Sequence, residues 1–471
     1  MLDVVSRTLG LGSRSTRLPQ YAAAIVVNLM AIVYGMVVAW TSPTIPLLKL
    51  GDPAVGGEEL TSEQETWLGS IPHLAAFVVS PLYSYLNQNS GRKTTGYLAA
   101  APLIVAWILV IFSNSIIYLF VARVTMGFSL AGANIFGTMY IGEISQDDIR
   151  GTLGTFRGIS IDAGILFCYC IGPYMSVRDM SIVAITLPIL FMLTYIWLPE
   201  SPMYLLGKGR SEEALKSYLW FRGGDAQLAD EEMKKLSMVV QNNVKVSLRD
   251  LLAVRGTRKA LLIAVVFCIV MVLSGMNVIF SYCTRLFETS GSSLSPEISS
   301  IIVASLNLLG SITAGICADL IGRRFILIST QILQAVSLGG MGIFLFLGES
   351  GIDVSAVNII PVICLSVYCF CIVAGLGTVG YVVFSETFRP EARGVAMSVI
   401  GLCVWMLGFL STKFHNSLEE VLGLYGCFWL YAAVSLAGSI FTYFQLPETR
   451  NRSLESILRE LNGERIDDFK G

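Results

Sequence analysis

The sequence predicts an all-α membrane protein in which twelve transmembrane helices form two pseudo-symmetric six-helix bundles. Composition is the first observation behind this. Of 471 residues, 54% are hydrophobic and 14% are charged, and mean hydropathy is +0.67. A soluble globular chain carries roughly 25% charged residues, so this alphabet cannot cover a water-facing surface. The second observation is a series of apolar runs of the ~20 residues that a spanning helix needs. The third is an internal repeat of charged motifs at helix ends.

Taken in order, the runs lie near 20–41, 67–86, 95–113, 117–142, 153–175 and 181–198, then 259–284, 298–318, 326–347, 356–384, 395–413 and 425–446. The charged stretch between them divides the chain into an N-terminal bundle (1–198), a cytosolic linker with short helices (199–258), a C-terminal bundle (259–446) and a cytosolic tail (447–471). With both termini in the cytosol, only Lys49, Arg123, Arg178, Arg285 and Lys413 of the 32 Lys and Arg residues fall off the cytosolic side. Positive charge stays inside, which sets the orientation. The first outer loop is acidic, with Asp52, Glu58, Glu59, Glu63 and Glu65. Met1 to Gln20 holds Arg7, Arg14 and Arg17 but no apolar core, so no secretory signal is expected. Nine of the ten cysteines sit inside apolar runs, where Cys behaves as a small hydrophobe, and no disulfide framework is expected.

The repeat is read from the inner loops. Gly91-Arg92-Lys93 follows the second run and Gly322-Arg323-Arg324 the eighth. Glu143 and Arg150 follow the fourth, and Glu386 and Arg393 follow the tenth at the same spacing. Pro199-Glu200-Ser201 ends the sixth and Pro447-Glu448-Thr449 the twelfth. Parallel repeats related by an axis along the membrane normal are a transporter architecture, with the solute site at midplane between the bundles. The charged inner ends point to a gate: Arg92, Glu143, Arg150, Asp319, Arg323, Arg324, Glu386 and Arg393 are expected to pair between neighbouring helices, to hold the cytosolic side shut and to part on opening.

These motifs resemble those of the sugar porter family of the major facilitator superfamily, over essentially the whole chain. The family's G-x-x-x-D-x-x-G-R-R pattern stands at Gly315, Asp319, Gly322, Arg323 and Arg324, and its first copy is reduced to Ser84, Gln88, Gly91, Arg92 and Lys93. Arg123, Gly127, Tyr140, Glu143, Arg150 and Gly151 match the R-x-x-x-G…Y-x-x-E…R-G stretch. Pro199-Glu200-Ser201-Pro202 and Pro447-Glu448-Thr449-Arg450 are similar to the family's PESPRWL and PETKG segments. Arg-Gly-Thr-Leu-Gly at 150–154 is most similar to the arthropod trehalose and hexose carriers.

The resemblance implies the major facilitator fold, a sugar as the small-molecule substrate, no cofactor and a place in the lipid bilayer, with the plasma membrane as the expected location. It implies substrate contacts at Ser274 and Asn277 in the seventh span, Asn307 in the eighth, Tyr381 in the tenth and Trp405 in the eleventh. The family's seventh-span glutamines are lost to Met271 and Val272, its fifth-span Gln to Gly158, its tenth-span prolines to Thr378 and Gly380, and eleventh-span asparagines to Val404 and Gly408. Amides that donate and accept together, with aromatic faces beside them, are the groups that hold sugars.

Asp162 is the one carboxylate deep in a span and a functional candidate on that ground, either lining the cavity or bonded to an internal partner. His73 reads as a cavity or a packing residue, and His415 and Asn416 as uninformative outer positions. Gly375 to Gly380 fits G-x-G-x-x-G but lies inside a span, so no nucleotide is expected. No enzyme motif, metal-ligand spacing or nucleic-acid signature appears. The function expected is facilitated diffusion of a sugar. Symporters of this family have an acid in the first span and this chain has none. The alternatives are a proton-coupled carrier of another small organic solute and a non-transporting solute sensor.

Overall fold

The computed structural model describes residues 17–57, 59–241, 248–450 and 452–462, and among them the regular structure is helical. The first span is Leu18–Ala39, continued past Trp40 as Thr41–Lys49. Five more follow: Ser62–Asn89, Arg92–Ile111, Ile116–Ile144, Arg150–Ile171 and Val177–Tyr195. The second half holds a seventh span in two pieces, Arg255–Leu273 and Met276–Ser290, then Pro296–Ile321 and Arg323–Glu349. The tenth span runs from Ile360 to Thr387 in three pieces, and Pro390–Lys413 and His415–Gln445 complete the set.

Eleven of these segments are long and apolar enough to cross a membrane. The exception is the second, Ser62–Asn89, which is long enough but carries Glu63, Glu65, Ser70, His73, Ser80, Ser84 and Asn87. Its polar face is turned to protein. The helix packs on the fourth span and, across the two halves, on the eleventh. A capping box starts it, in which Thr61 Oγ1 accepts from the Gln64 amide at 3.3 Å and Gln64 Oε1 from the Thr61 amide at 2.9 Å.

Proline and glycine decide how the first half packs. Pro72 has no N–H, so the carbonyl of Leu68 one turn earlier has no helical donor. Arg123 Nε supplies it at 2.8 Å, and Arg123 Nη1 donates at 2.8 Å to Val37, near the break at Trp40. The guanidinium lies over the Trp40 ring at 5.3 Å. Gly127, one turn on, is as close to Pro72 as glycine allows, since a Cβ would stand 2.4 Å from its carbonyl oxygen. The R-x-x-x-G motif is therefore a backbone clamp. The first and fifth spans cross equally closely: a Cβ on Gly35 would lie 1.9 Å from Ile161 O, and one on Gly164 2.0 Å from Ile32 O.

The seventh and tenth spans are broken without proline. Gly275 takes φ +96°, a left-handed conformation, with the Tyr431 ring 2.7 Å from where a Cβ would be. Val373–Val379 is one π-helical segment, and Gly375 sits against Thr330 within it. Such segments recur at functional sites, and this one replaces the missing proline pair. Below the membrane the linker does not run as one bridge. Ser211–Phe221 docks under the first half, where buried Arg222 donates to Ile144 O at 2.8 Å and Gln20 to Phe221 O at 3.2 Å. Leu248–Ala253 and the tail helix Leu454–Asn462 pack on the seventh span.

Candidate solute cavity and its outer gate

The two halves are joined most firmly on the outside. Glu65, whose side chain is 1% exposed, accepts from Lys49 Nζ at 2.7 Å and from Arg285 Nη1 at 3.3 Å. Arg285 also reaches Glu419 at 3.3 Å and Asn416 Oδ1 at 3.1 Å, and Asn416 Nδ2 donates to Ser62 Oγ at 3.0 Å. Lys413 Nζ bonds Thr66 at 3.0 Å and lies 4.5 Å over the Trp67 ring. Deeper in, Ser42 and Thr284 hydroxyls meet at 3.0 Å and Tyr169 Oη donates to Phe280 O at 2.7 Å. Each of these contacts except Arg285–Glu419 and Arg285–Asn416 links the first half to itself or across to the second, and together they shut the outer face. Three of the five cations left over by the positive-inside count do this work.

At midplane the fifth and eighth spans are clasped. Asn307 Nδ2 donates to Asp162 Oδ1 at 2.8 Å, and Ser311 Oγ donates to Asp162 Oδ2. Both carboxylate oxygens are thus taken by the opposite half. Asn307 is fully buried and its Oδ1 has no protein partner. Gly158 belongs to the same contact, since a Cβ there would be 3.8 Å from Ser311 Oγ. A glutamine at this position would crowd the clasp.

Beside the clasp, aromatic and polar side chains of both halves come together. Trp405 packs against Tyr34 at 6.2 Å and His73 at 5.9 Å, ring to ring. Gly408, one turn on, has no room for a side chain, because a Cβ would lie 2.7 Å from His73 Cδ2 and 2.8 Å from Asn277 Nδ2. That explains the eleventh-span departure from the family pattern: His73 occupies the space. Arg157 stands over the Tyr34 ring at 5.8 Å, with Tyr381 of the other half in electrostatic reach. Tyr381, in the last piece of the tenth span, is 38% exposed and lies within electrostatic reach of Cys268, Tyr34 and Arg157.

The matching families decide the identity. The model of the family described as "Sugar (and other) transporter" matches residues 23–461. The chain belongs to this transporter family. It is 30% identical to the "Facilitated trehalose transporter Tret1" of Polypedilum vanderplanki over 455 residues, 94% of this chain and 88% of that one. It is also 30% identical to the Aedes aegypti protein of that name over 447 residues, 94% of this chain but 55% of the relative. Among solved structures, the partially occluded inward open xylose transporter XylE from E. coli superposes with a TM-score of 0.76 at 19% identity, covering 92% of this chain and 99% of that one. XylE bound to 6-bromo-6-deoxy-D-glucose gives 0.75 at 20%, covering 94% and 99%. The fold is that of the major facilitator superfamily. The transporter is a multi-pass membrane protein and not an enzyme.

The transporter's inner motifs form two matching networks. Arg92 binds Glu143 through Nε at 2.8 Å and Nη2 at 2.6 Å, and Glu200 accepts from the amides of Arg92 at 3.1 Å and Lys93 at 3.0 Å. In the other half Arg323 binds Glu386 at 3.1 Å, and Glu448 accepts from the amides of Arg323 at 3.0 Å and Arg324 at 3.1 Å. Ser201 and Thr449 hydroxyls donate to Glu143 and Glu386 in turn. Gly91 and Gly322 take φ +96° and +110°, which brings their backbones against Glu200 and Glu448.

The expected pairing between neighbouring helices is found for Arg92–Glu143 and Arg323–Glu386, but it does not join the two halves. Among the described residues every ion pair at this end lies within one half. Arg150 pairs with Asp147 and Arg393 donates to Ser385 O, so these two arginines face each other as like charges. The contacts between the halves at this end are instead non-ionic, as where Gly315 of the eighth span lies against Thr155 of the fifth. Asp319 lies outside the residues whose side chains are described.

Of the expected substrate residues, Asn277 and Trp405 lie beside Gly408 and His73, and Tyr381 lies in electrostatic reach of Tyr34, which packs on Trp405. Asn307 and Asp162 are bound to each other. Ser274 is turned away, fully buried and bonded to Tyr368 Oη at 3.1 Å beside the Gly275 break. Two outer positions read as uninformative need correction. His415 is 2% exposed, bonded to Tyr431 at 3.1 Å and stacked on Tyr282, and Asn416 belongs to the gate. The outer gate and Arg157 were missed. Their signal was present as outer cations opposite an acidic loop and as a lone arginine two turns inside the fifth span.

Proposed function

We propose that the protein carries trehalose or a hexose across the plasma membrane by facilitated diffusion, alternating between outward-open and inward-open forms with both termini in the cytosol. The observation that supports this reading is the set of contacts joining the halves at the outer face, with the Trp405 indole and the Asn277 amide beside His73 and Gly408 further in. Amide groups beside aromatic faces suit a polyhydroxylated ring. The printed names of the relatives support a sugar, trehalose among them. In this reading Asn277, Trp405 and Tyr381 touch the solute and Ser274 steadies the seventh-span break. Asn307 becomes available when the Asp162 clasp parts. The inner networks keep each half rigid as it rocks, and Arg150 and Arg393 disfavour inner closure until neutral or acidic partners come between them.

Exchange of labelled trehalose or glucose against unlabelled sugar in proteoliposomes tests the reading. Asn277→Ala is expected to weaken half-saturation several-fold, because losing one hydrogen bond to a ligand costs ~0.5–1.5 kcal/mol. Normal exchange by this variant would remove Asn277 from the site. Asn416→Ala, which loses its bonds to Arg285 and Ser62, is expected to loosen the outer gate rather than to be silent.

A second reading, a proton-coupled carrier of another solute, is favoured by one feature, the buried Asp162. Asp162→Asn separates the two. A uniporter keeps partial flux, since Asn still accepts from Ser311 on one side. Loss of flux in the variant, together with abolition of wild-type flux by a protonophore, would establish symport.

A further inference from the structure

Arg157 is the charged group that neither the clasp nor the gates use. It lies two turns inside the fifth span, ~10 Å from its inner end at 1.5 Å per residue. A cation at this depth is costly and is kept where it has a partner or a purpose. The other deep cations show what satisfaction looks like here. Arg285 has Glu65 and Glu419, and Arg123 has two backbone carbonyls that nothing else caps. Arg157 Nη2 donates to Asn134 Oδ1 at 2.9 Å and Nη1 to Ala133 O at 3.3 Å, and the Tyr34 ring lies beneath it. All are neutral. The latter carbonyl already lies in an unbroken helix, Ile116–Ile144, and needs no cap. Of five guanidinium donors, two are used.

No carboxylate among the described residues stands within ion-pair distance of Arg157. Asp162 is on the same helix but ~140° round it, and both its oxygens are taken from the eighth span. Tyr34 from one half and Tyr381 from the other bring phenol groups to the same place. Toward the inner end of the halves Arg150 and Arg393 are exposed, and while Arg150 pairs with Asp147, Arg393 has no carboxylate partner among the described residues. A cleft lined by one sign of charge concentrates solutes of the other.

We propose that Arg157 reads a carboxylate on the transported sugar, so that hexuronates and related sugar acids are substrates of this cavity. The assignment rests on the sugar reading above and narrows it. A planar guanidinium with free parallel donors takes a carboxylate in a bidentate fork, while Asn277 and Trp405 take the hydroxyls and the ring.

The test uses the purified full chain in proteoliposomes with labelled glucuronate and labelled glucose, which differ only in carrying a carboxylate or a hydroxymethyl group at one carbon. Glucuronate is expected to enter and to compete with glucose. Its uptake should rise when a valinomycin–potassium potential makes the lumen positive, and glucose uptake should not. In Arg157→Gln the ratio of glucuronate to glucose flux should fall about tenfold or more, as loss of a hydrogen-bonded charge implies, and Arg157→Lys should restore part of it. Should Arg157→Gln not fold, the wild-type competition and potential dependence decide. Glucose flux with no entry or competition by glucuronate would overturn the anion assignment and leave the sugar reading standing. Failure of both solutes and of trehalose would overturn both.

Discussion

Glu65→Gln is expected to move the resting transporter toward its outward-open form. One buried carboxylate holds Lys49 from the first half and Arg285 from the second, so its loss uncouples the halves at the outer face. Breaking a fully buried pair costs ~3–5 kcal/mol. Lys49 and Arg285 are 40% and 27% exposed and can turn to water, which brings the effect to about 2 kcal/mol, or roughly thirtyfold in the balance of states. The remaining ties across this face, Lys413–Thr66, Asn416–Ser62, Ser42–Thr284 and Tyr169–Phe280, are single hydrogen bonds without an ion pair. Trp40 Nε1, Thr41 Oγ1, Thr44 Oγ1, Ser70 Oγ, Tyr282 Oη and Thr412 Oγ1 are buried there without a protein partner, and opening would hydrate them. Closure thus leaves polar groups unpaired, and the ion network holds it. The check is labelling of Ser70→Cys by an outside, membrane-impermeant thiol reagent, compared with the same chain lacking that cysteine. Labelling should speed up in the Gln variant. An unchanged rate would mean that the network is incidental.

Arg123→Leu is expected to lower thermal stability more than any other single change proposed for this transporter. It strands the carbonyls of Leu68 and Val37, each at ~1–3 kcal/mol, for a total of about 2–6 kcal/mol. No lipid can replace the lost donors, because backbone groups in the hydrocarbon region must be satisfied inside the protein. It also removes the cation over Trp40, next to the outer gate. Arg123→Lys should fall between the two, since one ammonium on a flexible stem cannot match the fork that reaches both carbonyls. Melting of the detergent-purified proteins gives the order. A Leu variant as stable as the parent would show that the clamp contributes nothing.

How far the sequence speaks depends on whether the cause is local. Span length, charge sidedness and the repeated Gly-Arg, Glu and Pro-Glu motifs are local, and the folded chain brings each repeated set together in the same way at both inner ends. The second span was legible in sequence as the apolar run 67–86, although the whole helix Ser62–Asn89 is too polar to count by hydropathy. What the sequence withheld were pairings across the interface. Asn307 looks like a free amide until the clasp with Asp162 is seen. Gly408 looks like a lost asparagine until His73, more than three hundred residues earlier in the chain by numbering, is found in its place. The inner charges look like a cross-bundle lock because a sequence carries no conformational state. Arg157 was counted with the inner loop, and only the helix start at Arg150 puts it inside the span.

This chain is expected to move sugar down its gradient by alternating access. Uptake of labelled trehalose and hexoses into proteoliposomes, measured with and without an imposed pH gradient and with a protonophore, tests it most directly. The account predicts saturable uptake of a sugar that stops at equal concentrations on both sides and is unchanged by either treatment. Uptake that accumulates sugar above the outside level and collapses with the protonophore, or no uptake of any sugar, would contradict it.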